Sequence, residues 1–209
     1  MTRHSLTERA ALADLLLAVG PDAPTLCEGW TARDLAAHLV VRERQPIAGL
    51  GNFIKPMRGY GERALRRRAE TPYEELISQV RNPPWWSPQS NRLADPYANT
   101  GEFYIHHEDV RRGSPGWQPR TLGADFDAAL WGNVRLFSRL ALRRFPAALT
   151  LQAPGLGEIT AGAGGEPARL IGAPGELTLF IAGRQRASRV QIEAAPALAD
   201  RLRTASFRL

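Results

Sequence analysis

The chain has 209 residues, 44% of them hydrophobic and 23% charged, the proportions of an ordinary soluble globular protein that buries one core, or one core and a small second domain. Its net charge is +6, but the basic residues, all arginine except Lys55, are spread along the chain rather than collected in a tail, which argues against nucleic acid as a partner. The longest uncharged run, Phe145 to Gly157, is too short and too broken by proline to cross a bilayer, and the start MTRHSLTERA lacks the apolar stretch of a secretory signal, so a cytoplasmic protein away from membranes is expected.

In chain order, Ser5 with Glu8 has capping-box spacing, and Leu6, Leu12, Leu15, Leu16 and Val19 form a helical apolar stripe that Gly20-Pro21 stops. A loop follows and carries Cys27, the single cysteine, which excludes an internal disulfide and a thiolate metal cluster and reads as a small half-buried residue. A second helix starts at Thr31 with Asp34 in its first turn, runs through Leu35, Ala36, His38, Leu39 and Val40, and must end before Pro46. Gly49 to Gly61 reads as irregular. A helix near Glu62–Glu70 follows, on which Arg63 and Arg67 share a face while Arg66 and Arg68 point elsewhere, a solvated surface rather than a phosphate track. Thr71-Pro72-Tyr73-Glu74 then opens another through Leu76, Ile77 and Val80. The stretch NPPWWSPQS, Asn82 to Ser90, is neither helix nor sheet, because its prolines remove donors and favour extended chain. Asp95-Pro96 starts a helix with the run GEFYIHHEDVRR that stops at Gly113, and a long helix spans roughly Asp125 to Arg144, its buried face marked by Leu130, Val134, Phe137, Leu140 and Ala141.

After Pro146 the pattern changes. Leu149–Ala153 and Glu158–Ala161 alternate as a hairpin around Pro154-Gly155, Glu176–Ala182 reads as a short helix, Arg189–Glu193 as a strand and Pro196–Thr204 as a closing helix. Helices first and a small mixed segment second is an α+β arrangement, with domains at 1–146 and 147–209.

Glu102 and His106 lie four residues apart on one predicted helix, so a carboxylate and an imidazole share a face and can converge on a single ion. His107 is about 100° further round and does not join them. Asp109, three residues beyond His106, is placed to orient a ligand histidine. A Glu and a His at this spacing are also common on solvated helices, and His38, beside its apolar stripe, reads equally as a satisfied core residue. With His4 at the chain start, His38 and the 106/107 pair are the candidates for a shared site.

The segment from Cys27 to Leu39, with Gly29-Trp30, a short polar step and then Asp34-Leu35-Ala36-Ala37-His38, resembles the N-terminal signature of the mycothiol-dependent maleylpyruvate isomerase family. Glu102-x-x-x-His106 is similar to that family's second motif, and the tail Gly175-Glu176-Leu177 to Ile181-Ala182-Gly183-Arg184 is similar to its small C-terminal domain. The resemblance implies a DinB-like four-helix bundle followed by a small mixed α/β domain, and a divalent ion held by His38, Glu102 and His106. Two nitrogens, one oxygen and an open position are the ligand set of a catalytic zinc, and also suit nickel, manganese or iron. It further implies mycothiol or another low-molecular-weight thiol as cosubstrate and a small-molecule substrate. Asp109 and Arg184 are the residues expected to serve the reaction, Arg184 by pairing with an anionic substrate. Trp85 and Trp86 would either wall a substrate pocket or pack on the bundle. The leading reading is a metal- and thiol-dependent transferase or isomerase. The alternative is a non-enzymatic metal-binding or ligand-sensing bundle, with a second copy of the chain as partner.

Overall fold

In the computed structural model, residues 3–45, 58–87 and 98–207 are described, and by packing the chain divides into Met1–Trp117 and Gln118–Leu209. The architecture is the α+β one: a helical first part and a second part built on a small mixed sheet. Among the described residues, no helix is long and apolar enough to cross a membrane.

The first unit holds α1 (Arg3–Val19), α2 (Ala32–Arg44), α3 (Arg58–Ala69), α4 (Tyr73–Arg81) and α5 (Ala98–Arg111). Leu12 and Leu16 of α1, Leu35 and Leu39 of α2, Leu76, Ile77 and Val80 of α4, and Phe103 of α5 close one core. The N-terminal half of α1 departs from the apolar stripe. Leu6 and Val19 are exposed, whereas Ser5, Glu8 and Arg9 turn inward. The helix already starts at Arg3, so Ser5 is inside it rather than capping it. Glu8 instead meets His107 Nδ1 at 2.8 Å, and Arg9 forms a buried ion pair with Glu43 of α2. Arg9 also donates to the Val80 carbonyl and lies over the Phe103 ring. Such pairing is the condition for burying these charges.

The start of α2 is as expected: the Asp34 carboxylate accepts the Thr31 N–H at 3.0 Å and the Thr31 hydroxyl at 2.9 Å. At α4 the expected capping box is absent. Pro72 is itself the cap residue and makes no side-chain cap bond. The helix is tied down instead by Tyr73, whose hydroxyl donates to the Leu16 carbonyl at 2.8 Å and whose pKa burial raises to about 12. Gly49 to Met57 and the Asp95-Pro96 helix start lie outside the described residues, as do the last three residues of NPPWWSPQS, whose part up to Ser87 is non-helical and non-strand.

The second unit consists of α6 (Ala124–Leu142), a four-stranded sheet, α7 (Pro174–Ile181) and α8 (Pro196–Thr204). Strands β1 (Ala148–Ala153), β2 (Gly157–Ala161), β3 (Pro167–Ile171) and β4 (Gln191–Glu193) are ordered β2-β1-β3-β4, with β1 and β3 parallel and both edge pairings antiparallel. Trp131, Val134 and Leu142 of α6 share a core with Leu149, Leu151, Leu170, Leu177, Phe180 and Leu202, so α6, read from the sequence as a bundle helix ahead of a boundary near 147, packs on the sheet. Leu140 is exposed rather than buried. Strand β3 has no counterpart among the elements expected from the sequence. Its proline and arginine hide the alternation by which Ala168 and Leu170 alone face the core.

The chain passes from β2 across the start of β1 to reach β3. Gly162, at φ +89°, makes this crossing, and a Cβ there would lie 2.1 Å from the Ala147 carbonyl oxygen. Gly162→Ala is therefore expected to destabilise the unit by about 2 kcal/mol or more in urea unfolding. Gly155→Ala, at φ +81° with open space around it, costs only about 1 kcal/mol of backbone strain.

Candidate metal centre

On α2 the core takes Leu35, Ala36, Leu39 and Val40, which leaves the His38 ring at the border of the apolar face, its side chain 16% exposed. On α5, Phe103 and Val110 enter the core, and Asn99, Glu102, His106 and Asp109 line an adjacent stripe. The stripe and His38 meet. Glu102 Oε1 lies 3.2 Å from His106 Nε2, 3.5 Å from His38 Nε2 and 3.3 Å from Arg42 Nε.

The rings are fixed from the other side. Trp30 packs against His38 with centroids 5.2 Å apart, and the His38 and His106 rings meet edge to face. His106 Nδ1 is 2.9 Å from Asp109 Oδ2, which also accepts the Cys27 thiol at 3.2 Å. Asp109 is fully buried, and its backbone carbonyl accepts the Leu26 N–H at 3.0 Å. The loop bearing Leu26 and Cys27 can lie this close because residue 113 is glycine. A Cβ there would sit 2.1 Å from the Pro24 carbonyl oxygen.

Three donors, two imidazole nitrogens and a carboxylate oxygen, thus point at one place, all within 4.8 Å of one another. The edge of a tetrahedron around zinc with bonds near 2.05 Å is about 3.3 Å, so the two nitrogen-to-oxygen separations of 3.2 and 3.5 Å suit a first-row divalent ion. Cys27, His106 and Asp109 form a second group of this kind, but it lies on the Nδ1 side of His106 around a carboxylate with no exposed surface.

Without an ion, the charges settle by proximity. Burial alone would raise the Glu102 pKa, yet the Arg42 guanidinium, the His106 charge and hydrogen bonds from both histidines hold it well below the usual carboxylate range. Burial alone would lower His106, but the Glu102 charge, then the Asp109 and Cys27 hydrogen bonds, push it well above the ordinary histidine value. At His38 burial prevails and the pKa falls. At neutral pH these directions favour the proton on His106 over His38 in the metal-free site.

His107, as expected, stands apart from the set and pairs with Glu8. Arg184 belongs to the second unit and donates to the Ala182 carbonyl at 2.6 Å. Among the described residues, Trp85 is 91% exposed and so does not pack on the bundle, and Trp86 is half exposed. A cavity of about 620 Å³ lies against α3, lined by Tyr60, Arg63, Arg67, Arg68 and Gln45 among others, and none of the three donors borders it. Two members of the site escape the sequence reading. Arg42 is one helical turn beyond His38, a spacing that places it on the same face. Cys27 carries no local signal for its contact with Asp109.

Because Asp109 faces His106 Nδ1, Asp109→Asn should bring the His106 titration in metal-free protein back toward the ordinary histidine range, read by histidine proton NMR. An unchanged midpoint would show that Glu102 alone holds that proton.

A family model described as the mycothiol maleylpyruvate isomerase N-terminal domain matches residues 3–111. A crystal structure of a histidine-to-alanine mutant of mycothiol-dependent maleylpyruvate isomerase superposes with a TM-score of 0.59 at 16% identity, over 91% of this chain and 90% of that one. A second crystal structure of mycothiol-dependent maleylpyruvate isomerase gives 0.52 at 17% identity over the same shares. At these identities the likeness is one of fold. A comparison with curated proteins gives no significant match. The matched span contains Cys27, His38, Arg42, Glu102, His106 and Asp109, so the whole donor set and its supporting contacts fall within it. The chain belongs to the family defined by the mycothiol maleylpyruvate isomerase N-terminal domain.

Proposed function

We propose that this protein is a metal- and thiol-dependent isomerase or transferase acting on a small molecule, with a divalent ion, zinc first, held by His38, Glu102 and His106, and with mycothiol or a similar small thiol as cosubstrate. The observation that carries the reading is the convergence of two Nε2 atoms and one carboxylate oxygen at the spacing of a tetrahedral edge, with His106 oriented from behind by Asp109. Membership of the family, whose solved relatives are named as mycothiol-dependent isomerases, supports the thiol. A bound divalent ion favours the thiolate form of a coordinated thiol and so supplies a nucleophile at neutral pH.

The chain's own residues do the rest. Asp109 keeps the His106 ring turned with Nε2 toward the site and accepts its Nδ1 proton. Trp30 walls His38 with an apolar surface that excludes water from that edge. Arg42 and the two histidines hold Glu102 ionised.

Purified protein is expected to contain about one equivalent of divalent metal by elemental analysis, and His106→Ala to lose most of it. No metal in the wild type would reduce the motif to inherited sequence and favour a ligand-binding bundle. Affinity should also depend on pH with a defined sign. The metal-free site binds a proton on His106 above the ordinary histidine range, and that proton must leave Nε2 before it can donate. Metal affinity should thus rise with pH through neutrality, and calorimetry at pH 7 in buffers of different ionisation enthalpy should show release of about one proton. Binding with no proton release would contradict an imidazolium at position 106 in the metal-free site.

A further inference from the structure

Among the described residues, Arg42 is the arginine that touches the donor set, and its guanidinium is only partly used by the protein. Nε faces Glu102 Oε1 at 3.3 Å and Nη2 donates to Asn99 Oδ1 at 2.9 Å, while Nη1 is buried with no hydrogen-bond partner. Its field also reaches His38, four residues earlier on the same helix.

The neighbouring charges are engaged elsewhere. Glu43 pairs with Arg9, Glu108 with Arg111 and Arg112, and Glu8 with His107. The charge of the site itself is then set by few groups. A divalent ion would be offset by the carboxylates of Glu102 and Asp109, which alone would leave the site neutral and indifferent to the charge of a further ligand. Arg42 adds one positive charge, and among the described residues Glu102 is the carboxylate that meets it.

Resting on the metal reading above, we propose that Arg42 is the specificity-determining residue of this site: its surplus positive charge, held against Glu102, makes the site prefer one anionic ligand, a thiolate or a small inorganic anion, over water. An anion brings the group of charges to neutrality and gives the half-buried guanidinium a second counterion beside Glu102, which away from bulk water is worth more than at the surface. The role does not require Arg42 to hold the metal, since His38, Glu102 and His106 supply that set, so metal content and anion affinity should separate.

The test uses the full chain loaded with cobalt(II), whose visible absorption reports ligands at the metal. Thiocyanate is titrated first, and 2-mercaptoethanol second as the thiol probe. Arg42→Gln should keep its cobalt and bind thiocyanate about tenfold more weakly at low ionic strength, with the difference shrinking as salt is added. Arg42→Lys should stay within about threefold of wild type, since charge rather than the planar fork is what matters. Asn99→Asp leaves Arg42 in place but sets a carboxylate against Nη2, and should weaken thiocyanate as Arg42→Gln does. This second variant decides the matter if Arg42→Gln fails to fold. Cobalt bound by both variants with wild-type affinity for both probes would overturn the assignment alone. A wild type that takes up no cobalt would overturn the metal reading, and this proposal with it.

Discussion

Helix α5 directs Glu102, His106, His107, Glu108 and Asp109 into the first unit, and the interior of a protein rejects each of those groups unless it is paired. Much of the unit can be understood as the supply of partners. Helix α1 delivers Glu8 to His107, α5 itself folds Arg111 and Arg112 back onto Glu108, and the loop before α2 presents the Cys27 thiol and the Leu26 N–H to Asp109. Helix α2 brings His38 and Arg42 to Glu102. The apolar core fixes the spacing of the helices, but these pairings select which faces meet. A rotation of α5 by one residue, about 100°, would turn Phe103 and Val110 from the core and leave the charges unmatched.

The same requirement poises the site. His38 and His106 approach one carboxylate oxygen at nearly equal distances, yet their pKa values move in opposite directions. The difference lies behind the rings, where His106 has Asp109 and His38 has the face of Trp30. These directions favour a proton shared between Glu102 and His106 in the metal-free protein at neutral pH. By linkage it stabilises the fold fully below the ordinary histidine range, a contribution lost as pH rises through the raised pKa of His106. A divalent cation at the proposed site would take the place of that proton, with both nitrogen-to-oxygen separations already near a tetrahedral edge, so the ordering cost on binding would be small.

The sequence made legible what depends on periodicity and local caps: the order of the helices, the Thr31 start with Asp34, the β1–β2 hairpin, and the Glu102/His106 face. It concealed what depends on distant pairing. Ser5 and Glu8 look like a capping box and Leu6 like core because the eye assigns polar residues to solvent, and only His107, 99 residues beyond Glu8, shows why Glu8 is inside. Leu6, in turn, is exposed for the same reason. Strand β3 was hidden because a parallel pairing with β1 places its proline and arginine away from the core. Arg42 stays hidden because an arginine on a helix reads as a solvated residue until the carboxylate it faces, Glu102, is known.

The position of Cys27 bears on where reactive sulfur would come from. The donor set converges on the Nε2 edge of His106, while the Cys27 thiol lies on the Nδ1 side, giving its proton to Asp109. The imidazole ring stands between the thiol and the place where three donors meet. Moving the sulfur across would break its contact with Asp109, the carboxylate that orients His106. The single thiol of this chain is thus engaged with Asp109 behind the proposed site, so under the proposed function the sulfur of any thiol chemistry would arrive with a cosubstrate.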